Sequence, residues 1–180
     1  MSDISTTRRH LLRLAAGLPL LGLPRLAAAD LPVPPSRPLP RGDRLVVFKR
    51  DRRMELQRGG EVLRSFRIAL GFQPAGPKLR EGDGRTPEGS YRLDQFRAES
   101  AFYRAIRISY PAPEDRQRAA AMGVRPGGQI MIHGLDPALR EWGSEHWMFN
   151  WTNGCIAVTN QEMDILWASV APGTPIEIYP

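Results

Sequence analysis

A mainly β domain with two short helices is the fold class this sequence predicts, and three observations carry it. Apolar and polar residues alternate with a period of two through RLVVFK (44–49), EVLRSFRIAL (61–70) and AIRISY (105–110), the pattern of half-buried strands. Clusters of glycine, proline and aspartate punctuate these runs and are densest over residues 71–89. Helical spacing occurs only twice, never in the strand–helix rhythm of a parallel α/β sheet.

The elements follow in order. Arg44 to Lys49 predicts the first strand, Met54 to Leu56 a second leading into the turn Arg58-Gly59-Gly60, and Glu61 to Leu70 a third, so a β-meander opens the fold. Residues 71–89 read as turn chemistry throughout, either a mobile surface loop or the border of a substrate groove. Thr86-Pro87 then fixes an extended entry into a strand from Ser90 to Asp94. After the strand Ala105 to Tyr110, Pro113 to Met122 predicts a helix. Proline stands at its start, acids in its first turn and Gly123 at its end. Gln129 to Ile132 and Cys155 to Val158 predict two short strands flanking an irregular, Trp-rich segment. Thr159-Asn160-Gln161-Glu162 is a capping box, and Met163, Leu166, Trp167 and Val170 follow on one helical face as core. Thr174 to Tyr179 predicts the closing strand.

The first 29 residues read as an address. Arg8-Arg9 precedes a moderately apolar run from Leu14 to Leu23, and Ala27-Ala28-Ala29 supplies small residues for cleavage. This pattern resembles a twin-arginine export signal, so the mature chain is expected to start near Asp30 and to lie in the periplasm. The run is too short for a stable membrane span, which takes about 20 residues. Residues 30–42 carry five prolines and read as an extended linker, which leaves 43–180 as the single domain. Four arginines and one aspartate of the formal +6 charge lie in residues 1–29, leaving +3 for the remainder. That excess is mild and is not interleaved with aromatics, so nucleic acid is not an expected partner.

Chemistry concentrates between His133 and Cys155. Cys155 is the only cysteine, so the chain holds no internal disulfide. An unpaired thiol is a liability in an oxidising compartment, which favours a reactive role over a buried structural one. A thiol of ordinary pKa is only a few per cent thiolate at neutral pH, and a neighbouring imidazole raises that fraction by taking the proton. His133, at a strand end, is the expected base. Gly154 permits a sharp turn, and the backbone amides of Asn153, Gly154 and Cys155 are candidates for an oxyanion hole. Gly134, Thr152 and Trp151 are expected to support the site or touch substrate. His146 is expected to face solvent, with substrate contact as the alternative. Two histidines 13 apart and one thiol lack metal-ligand spacing, so no metal is expected.

Together these residues carry a family resemblance. His133-Gly134 after a strand, then Thr152-Asn153-Gly154-Cys155-Ile156 and the downstream Gly173-Thr174-Pro175 strand resemble the L,D-transpeptidase catalytic domain of YkuD type. Thr86-Pro87-Glu88-Gly89-Ser90-Tyr91 is similar to that family's TP-x-G element, and Ile108-Ser109-Tyr110-Pro111 to a segment of its murein-active branch. The resemblance implies a β-sandwich, Cys155 as nucleophile, His133 as base, and no cofactor. It implies peptidoglycan stem tetrapeptides, of the meso-diaminopimelate type, as substrates and carbapenems as inhibitors. Its product is a 3→3 cross-link. This chain departs from the commoner Ser/Thr-His-Gly-Cys motif in having Asn153, and Ala157 stands where a basic or amide residue is common. Two alternatives stay open: hydrolysis of the acyl-enzyme by an L,D-carboxypeptidase or amidase, and a non-catalytic murein-binding module.

Overall fold

The computed structural model describes residues 39–180; the expected export signal and most of the expected proline-rich linker lie outside the described residues. Within them run β1 (Arg44–Phe48), β2 (Arg53–Arg58), β3 (Glu61–Arg67), β4 (Gly89–Ser100), β5 (Tyr103–Ile108), α1 (Pro113–Ala121), β6 (Met131–His133), β7 (Ile156–Ala157), α2 (Asn160–Ser169) and β8 (Pro175–Tyr179). A 3₁₀ segment spans Pro137–Met148, where an irregular stretch was expected. None of the described helices is long and apolar enough to cross a membrane.

The strands form one sheet in the order β3-β2-β1-β8-β4-β5-β6-β7. The meander β1–β2–β3 is antiparallel, as expected from its tight turns, and β8 returns parallel to β1. β4 runs to Ser100, beyond the expected Asp94, because it serves two partners in succession. Gly89–Arg92 pair with β8, and Leu93–Ser100 pair with β5. The sheet therefore turns through β4 into a second layer made of β5, β6 and β7. β3 ends at Arg67 rather than Leu70, because the next residues leave β2 and cross to the far edge. There Ala69 donates to the Ala157 carbonyl (3.0 Å), and the Ala157 N–H donates back to Ala69 (2.9 Å), so the two sheet edges are sewn together.

Alternation then fills the space between the layers. Leu45, Val47, Met54, Leu56, Phe66, Ile68 and Leu70 face Leu93, Ile106, Ile108, Ile132 and Ile156, with Met163 and Leu166 of α2 packed alongside. In β8, Ile176 and Ile178 are buried while Pro175 and Glu177 are only half-buried, which is the period of two seen in the sequence. α2 starts where its capping box predicts. Thr159 Oγ1 accepts from the Glu162 N–H (3.2 Å), and Glu162 Oε2 accepts from the Thr159 N–H (2.9 Å).

The segment 71–89 is tied down at several points. Thr86 Oγ1 accepts from the buried Gly71 N–H (3.1 Å). Buried Lys49 donates to the carbonyls of Gly76 (2.7 Å) and Thr86 (2.9 Å) and pairs with Glu88 (2.8 Å). Lys78 pairs with Asp83 at 2.7 Å, and that carboxylate also accepts from the N–H groups of Leu79, Arg80 and Arg85. These bonds favour the groove-border reading over the mobile one, since each fixes a backbone position.

Candidate active site

β6 and β7 pair in parallel, with Ile132 opposite Ile156 and His133 opposite Ala157. Both isoleucines are fully buried in the core. His133 ends β6, and Cys155 immediately precedes β7. The register places the two residues that the sequence singles out on neighbouring backbone segments.

Each is held locally. Gly154 has φ +119, and a Cβ there would lie 2.6 Å from the Arg85 carbonyl oxygen, so no other residue fits the turn. Thr152 Oγ1 accepts from the Gly154 N–H (3.2 Å) and donates to the Cys155 carbonyl (2.8 Å). The Gly154 amide is thereby occupied within the turn. The Cys155 N–H has no hydrogen-bond partner among the described residues. Asn153 lines a cavity of about 400 Å³ together with Phe72, Lys78 and Glu81. Next to His133, Gly134 approaches α2 so closely that a Cβ would lie 2.5 Å from Asn160 Oδ1, the atom that also accepts from the Leu135 N–H (2.9 Å).

The His133 ring is buried against Phe102 (ring centroids 4.6 Å apart) and the half-buried Trp151 (5.6 Å). Its Nδ1 lies 2.7 Å from the Gly134 carbonyl oxygen. A carbonyl only accepts, so Nδ1 carries the proton and Nε2 presents a lone pair. Burial holds the His133 pKa below its ordinary value, and it pushes the Cys155 thiol above the usual range. The Met131 N–H and the Lys78 ammonium oppose the second shift. The Cys155 Sγ contacts the Gln129 carbonyl oxygen at 3.6 Å, and no hydrogen bond joins it to His133 among the described residues. Both shifts favour a neutral imidazole and a protonated thiol at rest.

His146 departs furthest from expectation. It is fully buried rather than solvent-facing, because the 3₁₀ segment folds its C-terminal end inward. Burial and then the nearby His133 lower its pKa to about 4. An unfolded histidine titrates near 6.5, so between these two values the unfolded chain binds the proton and the native chain does not. Stability is then fully present above about pH 6.5 and falls by about 1.4 kcal/mol per pH unit toward pH 4 for this group, with His133 adding in the same direction. Thermal melts recorded from pH 7 to pH 4 should show a Tm that drops steadily; a flat Tm would contradict the burial of both rings.

Sequence reasoning missed Lys78, Asp83 and Arg52. The first two lie in a turn-rich stretch where ion pairing has no periodic signal. Arg52 sits in the β1–β2 turn at φ +47 and donates to the carbonyls of Trp147 (2.9 Å) and Met148 (2.7 Å), 95 and 96 residues away.

The YkuD family model, described as the L,D-transpeptidase catalytic domain, matches residues 42–178. YafK of Escherichia coli is 32% identical over 147 residues, which cover 74% of this chain and 52% of that protein. The chain thus spans about half the length of the curated relatives it matches. Among solved structures, the helical cell shape determining protein Pgp2 from Campylobacter jejuni aligns with a TM-score of 0.55 at 24% identity, over 79% of this chain and 51% of that one. Bd1075 of Bdellovibrio bacteriovorus aligns with a TM-score of 0.54 at 19% identity, over 77% of this chain and 48% of that one, and both show the shared fold. By its matched domain and its β architecture, the chain belongs to the L,D-transpeptidase catalytic domain family.

Proposed function

We propose that the protein is a periplasmic L,D-transpeptidase acting on peptidoglycan stem tetrapeptides, exported by residues 1–29 and carrying its catalytic domain at 43–180. One observation carries the reading: His133 ends β6 and Cys155 immediately precedes β7, its parallel neighbour, with Asn153 of the same turn lining a cavity. In the first half-reaction, His133 Nε2 takes the thiol proton as Sγ attacks the carbonyl carbon of the third stem residue. The oxyanion that forms is met by the Cys155 N–H, with the Asn153 N–H beside it, and the engaged Gly154 amide drops out of the hole. Collapse breaks the bond to D-alanine, whose amine leaves with the proton held by His133, and a thioester remains on Cys155. The amine of a second stem then attacks the thioester, gives its proton to His133, and expels the thiol as the new amide forms. Burial favours the neutral form of His133, which suits concerted base catalysis.

Hydrolysis is the second reading, favoured by Ala157. That side chain is fully buried, so the position two residues after the nucleophile presents nothing to hold an acceptor amine. Incubation with a purified disaccharide-tetrapeptide of the meso-diaminopimelate type, followed by mass spectrometry, separates the two. Cross-linked dimer and free D-alanine are expected. Tripeptide with no dimer would replace transfer by hydrolysis, and an untouched tetrapeptide would leave the murein-binding module. Carbapenems are expected to acylate Cys155 in the same way as the donor.

A further inference from the structure

The tip of the β4–β5 hairpin carries a side chain that the mechanism above leaves unused. Phe102 is half-buried, and its ring centroid lies 4.6 Å from that of His133 with an interplanar angle of 31°. Rings this close and this nearly parallel can only stack with an offset, because side by side they would overlap. Trp151 adds a second contact to His133 at 5.6 Å, in an edge arrangement, and lies 6.3 Å from Phe102. The tip itself is held at several points. Ser100 Oγ accepts from the Phe102 N–H (3.0 Å). Tyr103 sits at φ +73, a region costly for a bulky side chain. Its hydroxyl donates to the Asp164 carboxylate (2.9 Å), which Arg104 also engages (2.9 Å). The Arg104 carbonyl accepts from the Gly134 N–H (3.2 Å), and a Cβ on Gly134 would lie 2.9 Å from the Phe102 carbonyl oxygen. The tip and the backbone at His133-Gly134 are fitted against each other, and the ring stack follows from that fit.

We propose that Phe102 is a positioning residue for acyl transfer, whose π face steadies the His133 ring and stabilises the imidazolium formed while that ring holds a proton. The assignment rests on the acyl-transfer reading given above. In a Ser-His-Asp triad a carboxylate on the second ring nitrogen supplies this support. Here Nδ1 faces the Gly134 carbonyl, a neutral acceptor. A cation over an aromatic face is attracted by the ring quadrupole, more strongly where water is excluded, and His133 is buried. A neutral imidazole gains far less from the same contact. The stabilisation therefore grows as the proton moves, which is the condition for lowering a barrier. Four other groups bear on the charge of this ring or lie on the elements packed beside it. Asp136 favours the cation, His146 opposes a second charge nearby, and Arg104 and Asp164 pair with each other. None of them is altered in the variants below.

The test places 4-fluoro-, 3,5-difluoro- and 3,4,5-trifluorophenylalanine at position 102 of the full chain, which keeps the shape of the ring while draining its face of negative charge. Imipenem is the probe, and first-order acylation of Cys155 is followed by intact mass at a pH where His133 is neutral. The rate should fall stepwise with fluorination and reach about a fivefold loss with three fluorines, the worth of one cation–π contact. The His133 pKa, read from imidazole ¹⁵N shifts, should fall in the same order. Phe102→Leu fills the space without a π face and should lose at least as much rate as the trifluoro ring. A rate or a His133 pKa that ignores fluorination would overturn the assignment, and so would a loss confined to Phe102→Leu, which would mark a packing role. A wild-type protein that imipenem fails to acylate would sink the acyl-enzyme reading itself, and the pKa series would still decide whether the phenyl ring supports the cation.

Discussion

Replacing Cys155 with alanine should abolish covalent acylation completely, both by imipenem and by the tetrapeptide donor. The chain has no other thiol, so no second nucleophile of this type exists to leave a residual rate. The loss is attributable to chemistry rather than folding. Cys155 is half-buried, and its side chain makes one weak contact, 3.6 Å to the Gln129 carbonyl oxygen. The turn that carries it is held by Thr152 and Gly154, which the substitution leaves alone. A Tm within the range of an ordinary surface substitution, about 0.5 kcal/mol of stability either way, is expected. Intact mass after incubation gives the result directly. An adduct that persists in the alanine variant, or murein-dependent function that survives it, would return Cys155 to a structural role.

His133→Ala should lower the acylation rate by about 10² to 10⁴, the usual worth of a positioned general base. Burial raises the thiol pKa, so the thiolate population available without the base is smaller than that of a free cysteine, which places the effect toward the upper part of that range. Truncation also empties a space between Phe102 and Trp151 and removes the bond to the Gly134 carbonyl, so some loss of stability accompanies it. His133→Gln refills most of that volume without supplying an imidazole base. Both variants should acylate slowly, with the glutamine variant melting closer to the wild type. Near-normal acylation in either would remove His133 from the mechanism.

The two ends of the fold differed in how much the sequence disclosed. The meander, the closing strand and the capping box at Thr159 were legible because alternation and capping are local, each written within a few consecutive residues. The placement of His133 and Cys155 on neighbouring segments was legible from the strand ends they occupy. What escaped was long-range. β4 lengthens because it has two successive partners, and β3 stops early because Ala69 finds Ala157. His146 was expected in solvent because its neighbours in sequence are polar and aromatic in no helical order. Its burial is decided by Arg52 and Arg67, which lie about half the chain away and carry no mark of that role. The same holds for Gly154, whose need to be glycine comes from the Arg85 carbonyl as well as from its own φ.

The seam at Ala69 and Ala157 ties the appearance of the active site to the order in which the chain folds. Ala157 is two residues beyond the proposed nucleophile, and Thr152 at the start of its turn donates to the Leu70 carbonyl and accepts from the Phe72 N–H across the same junction. The turn bearing Cys155 therefore acquires its shape only when chain segments more than 80 positions apart have met, one of the last events expected in a topology dominated by distant contacts. A partly folded chain carries a thiol but no catalyst. Base-assisted reactivity toward acyl donors is therefore deferred until the whole domain has closed.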